Sequence, residues 1–325
     1  MKTSDKILDY VHQHGKTSPR SLVDYLDISD RAIRKQLKAL LEGGKLKKSG
    51  VPPHVYYEPA GETAILSNLE NVADKKTRQL IAKEFLYISP RGAFLEGMQG
   101  FEHWCHERGL SIERTAARYK LTWTKYKAYK KEGLINGMYK MRGSFDEVFL
   151  DRVFYLDFYS IEIFGKTKLG QLLLFAKQSQ NRKLMNELAD TVKPAIINVI
   201  NKYDIDVIGF IPPTVKRELQ LMKQLQNKLN LPARLLTIRK IKTEVAVPQK
   251  TLTKIEDRVV NARETIAVDD EGSYKNILLI DDALGSGATL NETARKIRQR
   301  GICHGKIIGL AITGSFKGFE VISEV

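Results

Sequence analysis

Cysteine is scarce in this chain: Cys105 and Cys303 are the two in 325 residues. Two thiols can build neither a disulfide framework nor a four-thiolate zinc site. Long apolar runs are missing too, since none approaches the roughly 18 residues of a membrane span. The start, Met1-Lys2-Thr3-Ser4-Asp5-Lys6, lacks the apolar stretch of a signal peptide. Acidic residues are outnumbered, 38 Asp+Glu against 53 Lys+Arg, which leaves a formal charge of +15. Hydrophobic residues make up 42% of the chain, enough to build real cores and to exclude a wholly disordered protein. The length suits two or three domains. These features predict a soluble, cytoplasmic, multidomain protein with an anionic partner, either a polyphosphate or a nucleic acid.

The first sixty residues carry clear punctuation. Ser18-Pro19 is a helix start, with Ser as N-cap and Pro at the first helical position, and Leu22, Val23 and Leu26 supply an apolar face. Leu26-Asp27-Ile28-Ser29 makes a tight turn, and Ser29 caps a second helix. Ile33, Leu37 and Leu40 lie at i, i+4 and i+7, which pushes Arg31, Arg34, Lys35 and Lys38 to the outer face. Gly43-Gly44 ends that helix. Lys45, Lys47 and Lys48 then precede Val55-Tyr56-Tyr57, a basic hairpin. Helix, short turn, basic helix and basic hairpin resemble a winged helix-turn-helix domain, an α+β fold occupying residues 1–60. That resemblance implies double-stranded DNA as partner, the basic helix in the major groove and the wing lysines on phosphates. A small helical domain with a solvated basic face, or a winged helix serving protein contacts, is the plainer alternative.

Residues 61–145 predict a mostly helical middle segment. Ser111 caps a helix with Ile112, Ala116 and Tyr119 on one side, Leu121-Thr122 makes a turn, and a helix from Trp123 to Lys131 follows, a possible second helix-turn-helix. Tyr126 and Tyr129 interleave with lysines, as a nucleic-acid surface requires. In a helical adaptor the same aromatics would be core and the lysines merely solvated. His103, Cys105 and His106 share helical spacing, but no fourth ligand lies close in sequence and Trp104 speaks for packing.

The last 180 residues alternate between strand and helix patterns. Asp206–Ile211, Leu235–Ile238, Asn276–Ile280 and Lys306–Ile312 read as strands. Between them, Leu219, Met222, Leu225 and Leu229, and later Leu290, Ala294 and Ile297, form the inner faces of helices. Strands spaced by helices predict an α/β fold with a parallel sheet and ligands at the carboxyl ends of its strands. The most informative stretch is Ile277-Leu278-Leu279-Ile280-Asp281-Asp282-Ala283-Leu284-Gly285-Ser286-Gly287-Ala288-Thr289. A buried strand delivers two carboxylates to the sheet edge. A glycine-rich turn and a helix N-terminus then offer backbone N–H groups to a phosphate monoester. Ser286 and Thr289 add hydroxyl donors.

This stretch resembles the phosphoribosyl pyrophosphate (PRPP) motif of type I phosphoribosyltransferases. The resemblance implies that Asp281 and Asp282, the candidate catalytic residues, hold the ribose hydroxyls. Ala283, Leu284, Gly285, Ser286, Gly287, Ala288 and Thr289 would hold the 5′-phosphate. Gly285 stands where the family usually has Thr or Ser, and Ala288 where Gly is common. Ile211-Pro212-Pro213-Thr214, with Lys216, Arg217 and Gln224 after it, is similar to the Val-Pro-x-x segment of the ComF-like branch. So is Gln249-x-x-Leu252 followed by Arg258-x-x-Asn261. By that likeness Pro213, Thr214, Lys216 and Arg217 serve pyrophosphate, and Gln249, Arg258 and Asn261 belong to a mobile region over the site. Mg²⁺ is implied as the companion of PRPP, held through water rather than by direct protein ligands. The branch's Arg-Gly-Phe-Asn-Gln run and four-cysteine finger are absent, so the resemblance covers residues 146–325.

Two functions fit this arrangement: a DNA-binding regulator that senses PRPP or a related nucleotide, and an active phosphoribosyltransferase or ComF-like protein of DNA uptake or phage defence. The PRPP motif serves both and does not decide whether the chain is an enzyme. A homodimer is the default for either class, by analogy.

Overall fold

The computed structural model describes residues 3–14, 17–51, 54–60, 74–215 and 217–315. The chain forms two compact units, residues 1–78 and 79–325.

In the first unit, helices α1 (Thr3–His14), α2 (Pro19–Leu26) and α3 (Asp30–Glu42) precede strands β1 (Leu46–Val51) and β2 (His54–Pro59). The Ser18 side chain accepts from the amide of Ser21, and Ser29 caps α3 by accepting from Ala32. Asp27, at φ 50°, ends α2 in the left-handed region, where a short polar side chain is tolerated. Ile7, Val11, Leu22, Ile33, Leu37, Leu40, Leu46 and Tyr57 form the core. Each large aliphatic buried there contributes about 1.5–3 kcal/mol. Strands β1 and β2 pair antiparallel from Leu46↔Pro59 to Val51↔His54, so the basic hairpin closes as a wing beside α3.

The second unit begins within α4 (Lys75–Glu84), a helix that runs across the division. The hairpin β3 (Leu86–Ile88) and β4 (Phe94–Glu96) follows, then α5 (Gly97–Glu107) and α6 (Ile112–Lys127). Next come strands β5 (Lys130–Lys131) and β6 (Leu134–Asn136), α7 (Met138–Ser144), β7 (Arg152–Phe158), and the small hairpin β8 (Ser160–Ile161) and β9 (Gly165–Lys166). Helices α8 (Lys168–Ser179) and α9 (Arg182–Tyr203) lead to β10 (Val207–Phe210), α10 (Leu221–Leu229), β11 (Arg234–Leu235) and β12 (Ile238–Lys240). A 3-10 turn (Gln249–Thr251), α11 (Ile255–Thr265), β13 (Ile266–Val268), β14 (Ile277–Leu284), α12 (Ala288–Gln299) and β15 (Ile307–Gly314) complete the described chain.

Seven strands form one sheet in the order β11-β10-β14-β15-β7-β6-β5. The five from β11 to β7 run parallel, and the β5–β6 hairpin joins β7 antiparallel. Ile277, Leu278, Leu279 and Ile280 are fully buried between β10 and β15, as an aliphatic run in a central parallel strand should be. The chain leaves β10 toward β11 on one side, and leaves β14 toward β15 on the other. Strand order therefore reverses between β10 and β14. In open α/β sheets such a reversal opens a crevice at the carboxyl ends of the strands.

The structure corrects three expectations. Residues 112–127 form one continuous helix, so there is no turn at Leu121-Thr122 and no second helix-turn-helix there. The buried series Thr115, Ala116, Tyr119, Thr122, Trp123 and Tyr126 keeps helical period straight through that point, and no Gly or Pro interrupts it. Of the interleaved aromatics, Tyr126 is core, buried with its ring 4.9 Å from Phe158, edge to face, as Tyr119 is 4.9 Å from Phe164, while Tyr129 stays half exposed with its ring 6.3 Å from Phe158. Third, Leu235–Ile238 is not one strand. Arg234–Leu235 pairs with β10, while Ile238–Lys240 turns away to pair with β13.

No helix among the described residues is long and apolar enough to cross a membrane. Cys105 is fully buried, and burial pushes its thiol up to about 11. His103 instead meets Glu107, Nε2 to Oε1 at 3.2 Å.

Candidate functional site

The first unit presents one charged face. Arg31, Arg34, Lys35 and Lys38 on α3, and Lys45, Lys47 and Lys48 at the wing, are all exposed. They are not equally available. Arg34 pairs with Asp30 at 2.6 Å, Lys38 with Glu42 at 3.8 Å and Lys47 with Glu58 at 3.3 Å. Arg31, Lys35, Lys45 and Lys48 have no ion-pair partner among the described residues.

In the second unit a cavity of about 280 Å³ opens at the strand-order reversal. The carboxyl end of β14 brings Asp281 and Asp282 to its floor. The Asp282 amide donates to Oδ1 of Asp281 at 2.8 Å. Burial, reinforced by the charge of Asp282, pushes the Asp281 carboxyl up to about 7. Beyond the strand the chain turns sharply: Gly287 has φ 84° and caps α12. The Ser286 hydroxyl accepts from the Ala288 amide at 3.3 Å, which fixes the curl of the loop. The next amides of the first helical turn have no acceptor within the helix, and Ala288 and Thr289 there line the cavity. Ala283, Gly285, Ser286, Gly287, Ala288 and Thr289 all line the cavity. Leu284 does not, because its side chain is fully buried in the core.

The loop after β10 forms the opposite wall with Pro212, Pro213, Thr214, Val215 and Arg217. Lys216, expected at pyrophosphate, lies outside the described residues. The Arg217 guanidinium donates to the carbonyl of Lys177, and the Leu219 amide donates to Oε1 of Gln180 at 2.8 Å, so this loop is tied to the end of α8. Gln249 and Arg258 close a third side. Asn261 stays outside the cavity but accepts the Gln249 amide at 3.1 Å; Gln249 also donates to the Arg258 carbonyl at 3.0 Å. Nε of Arg258 donates to the Leu252 carbonyl at 2.7 Å.

Two lysines, one lining the cavity and one behind its loop, have no counterpart in the motifs of the sequence. Lys177, in the last turn of α8, stands 2.5 Å from Oδ2 of Asp282, and that carboxylate raises its pKa against the opposing effect of burial. Lys140, on α7, donates to the carbonyls of Leu284 and Ser315, both at 3.2 Å. Burial, with the charge of Arg258 beside it, pushes Lys140 down to about 8. Tyr159, Leu173 and Leu174 supply an apolar wall. The only sequence signal for Lys177 is a single cation at helical spacing from Leu173 in the run Leu172-Leu173-Leu174-Phe175-Ala176. Lys140 has none, since its partners are more than a hundred residues away.

The arrangement offers two carboxylates to hydroxyl donors, a left-handed turn and helix start to a phosphate, cations around both, and an apolar wall for a planar or aliphatic group. Comparison with known proteins bears on the two units unequally. Residues 4–49 match the family model of the DeoR-like helix-turn-helix domain. Among solved structures, adenine phosphoribosyltransferase from Leishmania tarentolae is similar at 12% identity, covering 42% of this chain and 74% of that one, with a TM-score of 0.25. Adenine phosphoribosyltransferase from Trypanosoma brucei is similar at 14% identity, covering 49% and 80%, also with a TM-score of 0.25. TM-scores this low carry no weight for fold or function, which rest here on strand order and site geometry. A search of curated proteins returned no match. The fold and sites thus define a chain that joins a DeoR-like helix-turn-helix to an α/β unit with a switch-point cavity.

Proposed function

We propose that the protein is a DNA-binding regulator whose α/β unit binds PRPP or a related nucleotide. The observation that carries this reading is the convergence, at the strand-order reversal, of the Asp281–Asp282 pair, the left-handed turn at Gly287 and the N-terminus of α12, in a chain that begins with a helix-turn-helix. In this reading α3 enters the major groove and the wing lysines meet phosphates. Asp281 and Asp282 accept from ribose hydroxyls, and the amides and hydroxyls of residues 283–289 take the 5′-phosphate. Arg217 serves the anomeric end, and Gln249, Arg258 and Asn261 form the covering segment. The likeness to the ComF-like branch supports the same assignments.

Regulation then requires the ligand to bind DNA-competent and DNA-incompetent states with different affinity. The assembly proposed is a cytoplasmic homodimer, which presents two recognition helices to two half-sites. The test is retention of the full chain on a mixed-sequence duplex with and without PRPP or AMP. A ligand-independent, salt-sensitive retention refutes ligand control, and no retention refutes DNA binding.

A second reading, an active phosphoribosyltransferase, is favoured by one observation: the cavity has cations on its pyrophosphate side and an apolar wall suited to a nucleobase. Mg²⁺, the companion of PRPP in that chemistry, would sit on the water shell beside Asp281 and Asp282 and neutralise the leaving group. Pyrophosphate release from PRPP on adding each nucleobase separates enzyme from sensor.

A further inference from the structure

Resting on the reading of this cavity as a phosphoribosyl pocket, we infer that Lys177 takes the place of a divalent cation at the acid pair, so that the pocket holds a ribose 5-monophosphate group without metal. The ammonium stands 2.5 Å from Oδ2 of Asp282, and both residues line the cavity. Mg²⁺ demands near-octahedral oxygen ligands and keeps most of its water. A hydrated ion cannot share that space with the ammonium. Lysine carries three donors, so one can stay on Asp282 while another reaches a ribose hydroxyl, and the carboxylates keep lone pairs for the hydroxyl protons.

The placement of Lys177 is built rather than incidental. Its helix is capped by Thr167, whose hydroxyl accepts from the Gly170 amide at 3.0 Å, and it is seated in the core by Leu169, Leu172, Leu173 and Ala176. The carbonyl of Lys177 accepts the Arg217 guanidinium, which ties the lysine to the loop after β10. That same loop argues against a diphosphate. Pro212 and Pro213 both line the cavity, and proline has no N–H to donate. The end of the pocket that would receive pyrophosphate therefore lacks two backbone donors, and the carboxylate that would steady its metal is already paired. The single-phosphate end is intact: the turn at Gly287 and the open amides of α12 remain.

The shared chemistry is a ribose 5-monophosphate, free or in a nucleoside 5′-monophosphate that sets its base on Tyr159, Leu173 and Leu174. Calorimetry on the full chain with AMP, ribose 5-phosphate and PRPP, each in EDTA and in Mg²⁺, tests it. The expected result is that AMP or ribose 5-phosphate binds equally in both buffers and at least as tightly as PRPP. AMP binding more tightly than ribose 5-phosphate marks the nucleotide as the source; equal affinity marks the sugar phosphate. Lys177→Ala should weaken binding in EDTA by about ten-fold, with Mg²⁺ restoring part of it, while Lys177→Arg binds without metal. Binding that appears only with Mg²⁺ overturns the role of Lys177 and leaves the pocket standing. Silence from all three probes in both buffers sinks the pocket and this inference together. The buffer comparison uses unaltered protein, so a variant that fails to fold does not blunt the test.

Discussion

Replacing Gly287 with alanine probes the phosphate loop at its most constrained point. Gly287 sits at φ 84°, where an L side chain costs about 1–2 kcal/mol. A Cβ there also runs into the thioether of Met141, meeting Sδ closely and Cε at 2.9 Å. Overpacking of that kind costs about 1–3 kcal/mol, at the lower end here because the methionine tip can shift. Alanine stiffens the unfolded chain and returns about 0.4–1 kcal/mol. The net expectation is a loss of about 1–2.5 kcal/mol. For a unit of this size that lowers the unfolding midpoint by about 2–10 °C. Gly285 is the matched control: nothing lies within 4 Å of a Cβ there, and its φ is outside the left-handed region. Gly285→Ser should leave the midpoint within about 2 °C, because a surface change without strain costs little. Thermal unfolding of the two variants by circular dichroism decides the matter. If Gly287→Ala unfolds with the unaltered protein, or Gly285→Ser falls as far as Gly287→Ala, the loop is not held as described. The two should separate again in ligand binding, retained with serine at 285 and weakened with alanine at 287.

Three further outcomes are expected. Double replacement Asp281→Asn/Asp282→Asn should abolish the calorimetric response to AMP and PRPP alike; a persisting isotherm would place the ligand elsewhere. On DNA, Arg31→Ala/Lys35→Ala should weaken retention more than Arg34→Ala/Lys38→Ala, since the latter pair already spends charge on Asp30 and Glu42. Removing one cation that neutralises a phosphate should reduce the salt slope by about 0.9, and equal slopes for both variants would refute the ranking. Glu102 is buried, its Oε1 has no hydrogen-bond partner among the described residues, and burial raises its carboxyl to about 7. The folded state thus holds a proton that the unfolded chain sheds near pH ~4.3, so stability falls as pH rises from there to about 7. Glu102→Gln should flatten that fall, which amounts to at most about 4 kcal/mol at roughly 1.4 kcal/mol per pKa unit. Denaturant midpoints across pH ~4 to ~8 that fall as steeply in the variant would show the proton sits elsewhere.

Much of the molecule is legible in its residues because the signals are local. Ser18-Pro19, Ser29 and Gly43-Gly44 punctuate α2 and α3 through groups a few residues apart, and the spacing of Ile33, Leu37 and Leu40 identifies the buried face without a partner. The strand Ile277–Ile280, the acid pair and the small-residue turn lie in one stretch, so the floor of the cavity can be read directly. The middle segment misleads for the same local reason: Leu121-Thr122 looks like a break until Trp123 and Tyr126 find their places in the core. Strand Arg152–Phe158 gives no clear pattern, since its alternation is blurred by burial on both faces.

What the residues determined alone, then, is the helix-turn-helix with its basic wing, the parallel strands from residue 206 onward with helices between them, and the acid pair beside a phosphate-sized turn. Tertiary structure decided what surrounds that turn. Lys140 and Met141, assigned by sequence to a separate segment, underpin the loop at Leu284 and Gly287, and Lys177 reaches Asp282 across 105 positions. A charge or a side-chain volume acts through space, and only the folded chain sets those distances.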